Sequence, residues 1–430
     1  MVDVAPTPLF HDPWLEPRGQ GIQAIADAVA ARLEAHLQTT ARKPRTDIVS
    51  RRRTVVENLV CNLAVLVLSP EYEPQKRLAI DTARIKATRY DRSDFPQRPL
   101  GEVLRALEDC GFIHRTPYVF KQARTQVEPS AALWEELVQR ASLAEVGRVQ
   151  GAETIYLAAR KEEGDGPRRR FADERLPKVL LHYEETDVSI ALREQMETIN
   201  AHLNRHVIAL GNCVQPPVHL VRWFLLRSGK DPVSFNLMGR LAQGWWMQLE
   251  KTQRHRITID GETLVDLDWQ AMWAYLLYLR AGLQLPERDP YGIPGLEQHR
   301  AGAKLGFLTM VARTGPLRRL SPKLKQALPG GWDSKRFVSA VHARHPLLAP
   351  YFGQDLAVEL MATESRVLVR LLLDLADKGI PFLPVHDGGM CRASHKNTVR
   401  QAMESATMRE LGVVLPVIEK PIYRPAIEAA

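Results

Sequence analysis

The segment ITIDGETLVDLDWQAMWAYLLYL, residues 257–279, is the stretch that decides the fold. Its first residues predict a strand that ends in the turn Asp260-Gly261. Polar and apolar residues then alternate from Thr263 to Asp268, which predicts a second strand. The apolar run that follows predicts a helix from about Gln270. Asp268 is therefore expected at a junction between strand and helix.

A second segment, GIPFLPVHDGGMCRA at residues 379–393, predicts a β-hairpin. An apolar strand from Ile380 is followed by His386-Asp387 and by Gly388-Gly389, which is predicted as a turn. Asp387 is expected at the exposed tip. An aspartate beside a glycine is common in turns that have no catalytic role, so neither segment alone indicates chemistry.

Two aspartates at strand ends become informative as a pair. Phosphoryl transfer from a nucleoside triphosphate uses two divalent ions about 3.5–4 Å apart, one at the attacking hydroxyl and one at the leaving pyrophosphate. Mg²⁺ prefers carboxylate oxygens and keeps several of its waters, so carboxylates on adjacent strands suit it. Asp268 and Asp387 are the candidate ligands, for two Mg²⁺ ions or for Mn²⁺ in their place.

The composition is that of a water-soluble globular protein. Of 430 residues, 45% are hydrophobic and 25% are charged, and 58 basic residues exceed 50 acidic ones. The positive excess favours a polyanionic partner. The longest apolar run, 59–68, is too short to cross a bilayer, and the four cysteines lack the spacing of a zinc site. We expect a cytoplasmic protein without membrane contact.

The segment PLGEVLRALEDCGFIHRTPYVFKQARTQVEPSAALWEEL, residues 99–137, resembles a winged helix-turn-helix. A helix from Pro99 is followed by a predicted hairpin near 112–128 and by a helix from Ser130. Domains of this kind place the second helix of the motif in the DNA major groove and basic side chains on phosphates. The candidate DNA contacts are Arg105, Arg115, Lys121 and Arg124. A winged helix that binds only protein remains an alternative.

The rest of the chain is divided by composition and periodicity. Residues 160–176 are charged, broken by Gly and Pro, and predicted as a linker. Thr186 is predicted to cap a helix. The resulting domains are an N-terminal arm and helix (1–45), a DNA-binding winged helix (46–145), a linker with a connecting helix (146–205), and a catalytic part (206–430).

Four blocks within 206–430 resemble the family A DNA polymerases and the single-subunit RNA polymerases of phages. NLMGRL, with Gly239 and Arg240, resembles the family's T-x-x-G-R block, with Asn236 in place of Thr. DLDWQAM resembles motif A, EQHRAGAKLGF resembles motif B in the fingers, and PVHDGG resembles motif C. The implied fold is α+β: an N-terminal winged helix followed by a polymerase palm, built on an antiparallel sheet, with minimal helical fingers.

The resemblance implies a role for each matching residue. Asp268, Asp387 and the Trp269 carbonyl would hold the metals, and Lys304 would be the general acid. Arg300 and Lys304 lie four residues apart on one helix face and could clamp a triphosphate. Nucleotide-binding residues would be Arg300, Lys304, Trp273 and Gln270, and Arg240 and His386 would contact nucleic acid, His386 also shaping the hairpin.

The chain departs from the family pattern in three respects. Asp387 follows Asp268 by only 119 positions, which predicts short fingers. No upstream segment resembles a 3′–5′ proofreading exonuclease. Ala312 stands where motif B usually has an aromatic residue, eight positions after Lys304. The first two differences predict a small polymerase without proofreading.

Trp273 bears on the choice between DNA and RNA synthesis. It is the fifth residue after the motif A aspartate, where DNA polymerases of the family have a bulky Glu and phage RNA polymerases a small residue. A bulky indole favours deoxynucleotides. The sequence thus predicts a template-directed DNA polymerase, replicative or primase-like, that uses DNA template and nucleoside triphosphates. A single-subunit RNA polymerase and a non-catalytic DNA-binding replication initiator or regulator are the alternatives.

Overall fold

The computed structural model describes residues 9–38, 46–69, 77–82, 88–119, 124–160 and 178–422. The chain forms two compact units. Unit 1 comprises residues 1–153, 207–218 and 256–261, and unit 2 comprises residues 154–206, 219–255 and 262–430. The predicted linker and Lys121 lie outside the described residues, apart from Arg160 at the start of the linker. In the described part of the chain, no helix is both long and apolar enough to cross a bilayer.

Helices and strands alternate in a mixed order, which confirms the α+β class. The described helices are α1 (Gln20–Gln38), α2 (Thr46–Leu68), α3 (Gln97–Asp109), α4 (Ala131–Arg140), α5 (Asp187–Leu203), α6 (Met272–Arg280), α7 (Arg300–Ala312), α8 (Pro322–Ala327), α9 (Ser334–Arg344), α10 (Ala357–Asp377) and α11 (Lys396–Leu411). The described strands are β1 (Leu9–Phe10), β2 (Leu15–Pro17), β3 (Leu78–Ile80), β4 (Ile113–Thr116), β5 (Thr125–Pro129), β6 (Val146–Arg148), β7 (Ile155–Arg160), β8 (Lys178–Leu180), β9 (Ile208–Leu210), β10 (Cys213–Val214), β11 (Val221–Leu226), β12 (Met238–Ala242), β13 (Ile257–Ile259), β14 (Glu262–Trp269), β15 (Phe382–Val385), β16 (Gly388–Arg392) and β17 (Val417–Lys420).

Unit 1 is built around two long helices. The apolar side chains of α1 and α2 recur every three or four residues and form one buried core with those of α3 and α4. A sheet in the order β1-β3-β5-β4 accompanies them, and β4 and β5 pair antiparallel, as the predicted hairpin requires. Ser130 caps α4 by accepting a hydrogen bond from the Leu133 amide. Strands β10, β9 and β13 pair with one another in an antiparallel ladder.

Unit 2 contains two sheets and most of the later helices. One sheet has the order β12-β11-β7-β8, and in the other β14 lies between β16 and β17 while β15 pairs with β16. All pairings in this second sheet are antiparallel. The capping role predicted for Thr186 is confirmed, because its hydroxyl accepts a hydrogen bond from the Ser189 amide at the start of α5. Helix α10 is largely buried in the unit.

The structure corrects one detail of the predicted hairpin. The turn consists of His386 and Asp387, with a positive φ of 56° at His386, and Gly388-Gly389 belong to β16. A Cβ at Gly388 would lie 2.3 Å from the Leu267 carbonyl oxygen, and one at Gly389 would lie 2.3 Å from the Leu383 oxygen. The glycines therefore allow strands to approach closely, whereas the sequence pattern had assigned them to the turn.

Candidate active site

Strand register places the first predicted metal ligand, Asp268, beside the turn that carries the second, Asp387. Asp268 near the end of β14 pairs with Gly388 of β16, directly after Asp387, and the Trp269 amide donates a hydrogen bond of 3.3 Å to the Asp387 carbonyl. Residues two apart on a strand share a face, so Asp266 lies on the same face as Asp268. The sheet thus brings together carboxylates that are far apart in the sequence.

Asp268 is a buried carboxylate whose two oxygens have different surroundings. It is 5% exposed, and its Oδ2 lies 2.5 Å from the ammonium nitrogen of Lys420. Its buried Oδ1 has no hydrogen-bond partner in the described part of the chain. Burial, and then the negative charge of Asp387, raise the pKa of Asp268 above its usual range, while Lys420 opposes the shift. Burial also raises the pKa of Asp266.

These features fit an absent divalent ion. A buried carboxylate oxygen without a partner costs free energy, and a bound cation would remove that cost. The repulsion between Asp268 and Asp387 would be relieved in the same way. Within the described ranges, no group of three or more His, Cys, Asp or Glu side chains is arranged as a metal cluster. Asp268 and Asp387 would therefore need water or substrate oxygens to complete the coordination, as Mg²⁺ commonly does.

The motif A residues around Asp268 differ in accessibility. The Trp269 side chain is fully buried, and the Gln270 amide donates a hydrogen bond of 2.8 Å to the Pro416 carbonyl. Trp273 is half-buried, and its indole nitrogen donates a hydrogen bond of 2.5 Å to Glu364. Among the neighbouring tryptophans, Trp246 is fully buried and donates to the Pro384 carbonyl, so it packs in the core.

Arg240 is half-buried and forms an ion pair with the same glutamate. Its guanidinium donates two hydrogen bonds, of 2.9 and 3.0 Å, to the Glu364 carboxylate, and it lies 5.4 Å from the centre of the Trp273 ring. The exposed His386 stands in the turn beside Asp387. The Glu364 carboxylate that pairs with Arg240 is fully buried.

The two predicted phosphate-binding cations lie on α7, in contact with one buried tyrosine. Arg300 and Lys304 approach the Tyr291 ring to 5.5 and 5.7 Å from its centre. Arg300 also donates hydrogen bonds of 2.6 and 2.9 Å to the Asp289 carboxylate. Burial, and then the negative charge of Asp387, raise the pKa of Tyr291 above its usual range.

Three residues of the site were missed in the sequence: Lys420, Asp289 and Tyr291. Lys420 follows from the pairing of β17 with β14, in which it lies opposite Asp266. A strand pairing between segments this distant leaves no local signal. Asp289 precedes Arg300 by eleven residues, and only the folded loop brings the two together.

The DNA-binding residues predicted in unit 1 have different environments. Arg105 is exposed on α3, whereas Arg115 forms an ion pair with Glu108 at 3.0 Å. Arg124 lies over the ring of Phe10 at 5.2 Å, and Phe10 is itself more than half exposed. Two of the four predicted contacts, Arg105 and Arg124, are thus accessible, and Lys121 lies outside the described residues.

The comparisons with known proteins include a weak likeness to a solved structure. No protein-family model and no curated protein matches the chain. A solved structure described as the POL domain of Pol1 from M. smegmatis, in complex with DNA primer-template and dNTP, aligns with 95% of this chain and 67% of that one. The identity is 10% and the TM-score 0.23, too low for the likeness to carry an argument.

Proposed function

We propose that the chain is a metal-dependent nucleotidyltransferase that extends DNA on a template. The observation that supports this most strongly is the buried Asp268, which lies beside the turn of Asp387 and whose Oδ1 has no hydrogen-bond partner among the described residues. A buried carboxylate beside a second negative charge costs free energy in the folded state, and a bound cation would offset that cost. The motif resemblance then selects nucleotidyl transfer among metal-dependent reactions.

Asp268 Oδ1 and the Asp387 carboxylate would hold Mg²⁺, with the Trp269 carbonyl as a further ligand. Bound Mg²⁺ would activate the attacking hydroxyl and neutralise charge on the phosphoryl oxygens. Arg300 and Lys304 would bind the triphosphate, and Lys304 would donate a proton to the leaving pyrophosphate.

Neighbouring residues would shape the nucleotide and nucleic-acid contacts. Trp273 would form a wall against a ribose 2′-hydroxyl, favouring deoxynucleotides, and Gln270 would line the nucleotide site. Arg240 would contact the nucleic-acid backbone, and His386 would shape the hairpin.

Primer extension tests the proposal directly. A labelled primer on a DNA template is incubated with Mg²⁺ and either deoxynucleotides or ribonucleotides, using wild type, Asp268→Asn and Asp387→Asn. Asp377→Asn is the matched control, since Asp377 is exposed at the end of α10. We expect extension by wild type and the control only, with deoxynucleotides preferred. Absence of extension by wild type, with or without primer, would overturn the proposal and favour the non-catalytic regulator; preference for ribonucleotides would favour the RNA polymerase.

We also propose that residues 46–145 form a DNA-binding winged helix. Support comes from the hairpin β4-β5 after α3 and from the exposure of Arg105 and Arg124. The full chain with Arg105→Ala and Arg124→Ala should bind duplex DNA more weakly, with the slope of log affinity against log salt reduced by about one per lost phosphate contact. Arg140→Ala serves as a control, because Arg140 is not among the predicted contacts and pairs with Glu136 on α4. An unchanged slope would exclude these contacts.

A further inference from the structure

Three side chains from three different elements of unit 2 meet at one carboxylate. Arg240 comes from β12, Trp273 from α6 and Glu364 from the middle of α10. Both Glu364 oxygens accept hydrogen bonds from the Arg240 guanidinium, and Oε2 also accepts the indole N–H of Trp273 at 2.5 Å. The guanidinium in turn lies against the indole ring. Each member therefore restrains the other two.

The backbone next to this cluster is restrained as well. Ser365, which follows Glu364, donates a hydrogen bond to the Gly239 carbonyl, which precedes Arg240. The Arg222 side chain donates to the same carbonyl at 2.9 Å. Gly239 has a φ of 65°, a conformation that disfavours other residues. Strand β12 and helix α10 are thus joined at two successive positions. These contacts fix the position of the Arg240 backbone relative to α10.

Stability alone does not account for a buried glutamate here. Glu364 is fully buried, and burial raises its pKa to about 7, with the Asp387 charge adding to the rise and Arg240 opposing it. Buried ion pairs are often no more stabilising than apolar residues of the same size. Trp273 lies in the first turn of α6, five residues after Asp268, so the cluster adjoins the end of β14 that carries this proposed metal ligand.

We infer that Glu364 is a positioning residue for nucleotide selection: it fixes the Trp273 indole and the Arg240 guanidinium as one rigid wall of the nucleotide site. This inference rests on the proposed function. Arg240 covers one face of the indole, and Glu364 fixes the ring edge by its nitrogen. The wall can discriminate between sugars only if it does not swing aside, because steric exclusion fails when the obstacle moves.

The test compares Glu364→Gln with Glu359→Gln. Glu359 lies on the same helix but pairs with Arg227 and Arg280, and no contact joins it to the cluster in the described residues. Selectivity is measured as the ratio of kcat/KM for deoxynucleotides to that for ribonucleotides. We expect Glu364→Gln to lower this ratio about tenfold, mainly through a lower KM for ribonucleotides, because a charged hydrogen bond is lost. Glu359→Gln should keep the wild-type ratio.

A spectroscopic measurement separates positioning from general damage. Nitrogen-15 spectra resolve indole N–H signals, and Trp273→Phe assigns the one from Trp273. That signal should move upfield in Glu364→Gln and stay in place in Glu359→Gln. An unmoved signal together with an unchanged selectivity ratio would overturn the inference.

Two further outcomes, a misfolded Glu364→Gln variant and an inactive wild type, also test the inference. If Glu364→Gln does not fold, Glu364→Asp keeps the charge beside Arg240 and, being one methylene shorter, draws the carboxylate away from the indole N–H of Trp273. A lower selectivity ratio in that variant supports the inference, and an unchanged ratio overturns it. If wild type itself extends no primer, the proposed function fails and the inference fails with it. If wild type extends the primer and the variants keep the wild-type selectivity ratio, the inference is overturned and the proposed function stands.

Discussion

The Nζ atom of Lys420 lies 2.5 Å from Oδ2 of Asp268, so one oxygen of the proposed metal ligand already has a cation beside it. The lysine lowers the cost of burying the aspartate, and it repels a divalent ion bound to the other oxygen. Lys420 therefore stands in competition with the metal that the site is proposed to bind.

Replacing Lys420 by Met should increase the affinity for Mg²⁺. Removal of the repulsion should lower the Mg²⁺ concentration that gives half-maximal extension by about two- to fivefold, the effect of roughly 0.5–1 kcal/mol. The titration is run well above neutral pH, so that Asp268 is ionised in both proteins. Lys396→Met is the control, because Lys396 pairs with Glu419. A higher Mg²⁺ requirement in Lys420→Met would show that the lysine supports the site.

The Asp289 carboxylate forms an ion pair with the Arg300 guanidinium, which is proposed to bind the triphosphate. Asp289→Asn should release Arg300 and lower the KM for nucleotides about two- to fivefold. The effect is small because the ion pair is partly exposed to solvent, where such pairs are weak. The asparagine oxygen can still accept the Tyr291 amide hydrogen bond, so the loop should keep its shape. Glu410→Gln, which removes the partner of Arg370, is the control. A raised KM would mean that Asp289 orients Arg300 for binding.

Gly388→Ala should destabilise unit 2 strongly. The new Cβ would lie 2.3 Å from the Leu267 oxygen and 2.7 Å from Asp268 Oδ1, so β16 would have to move away from β14. We expect a loss of more than about 2 kcal/mol in the free energy of unfolding. Gly330→Ala, which meets no atom within 4 Å, should change it by less than about 0.5 kcal/mol. Denaturant titration of the two variants gives the comparison, and equal stability would contradict the register.

Stability should fall on acidification because of His345. Burial lowers its pKa from 6.5 to about 4, and its ring nitrogens are engaged by the Tyr278 hydroxyl and the Pro290 carbonyl. The unfolded chain binds the proton first, so stability is full above pH 6.5 and declines towards pH 4 by about 3 kcal/mol. In His345→Gln this part of the decline should vanish. The same pH slope in both proteins would exclude His345 as its source.

Much of the fold could be read from local patterns. The alternation of 263–268 and the helical spacing in 22–33 correspond to β14 and α1, because both elements bury one face. The Thr186 cap was recognisable because a hydroxyl before an amphipathic helix has a specific partner. These signals depend only on residues close in sequence.

The remaining features depend on distant partners. The pair Gly388-Gly389 is compatible with a turn and with a strand that approaches its neighbour closely. Only the position of the neighbouring strand β14 distinguishes the two. Glu364 and Arg366 are both charged residues in the middle of α10, and their sequence context does not distinguish them. In the fold, Glu364 is buried and Arg366 is exposed. Lys420 reaches Asp268 through strand pairing. Register and burial arise from the whole unit, so no local pattern could reveal them.

The pairing of β14 with both β16 and β17 has a consequence for the speed of folding. Asp268 finds its strand partners Gly388 and Ile418 at 120 and 150 residues further along the chain, so two long loops must close before the carboxylates meet. Contacts of such sequence separation form slowly, whereas helices form early. During refolding, helical signal should therefore recover well before the ability to bind a divalent ion, and the metal would report the last step of assembly.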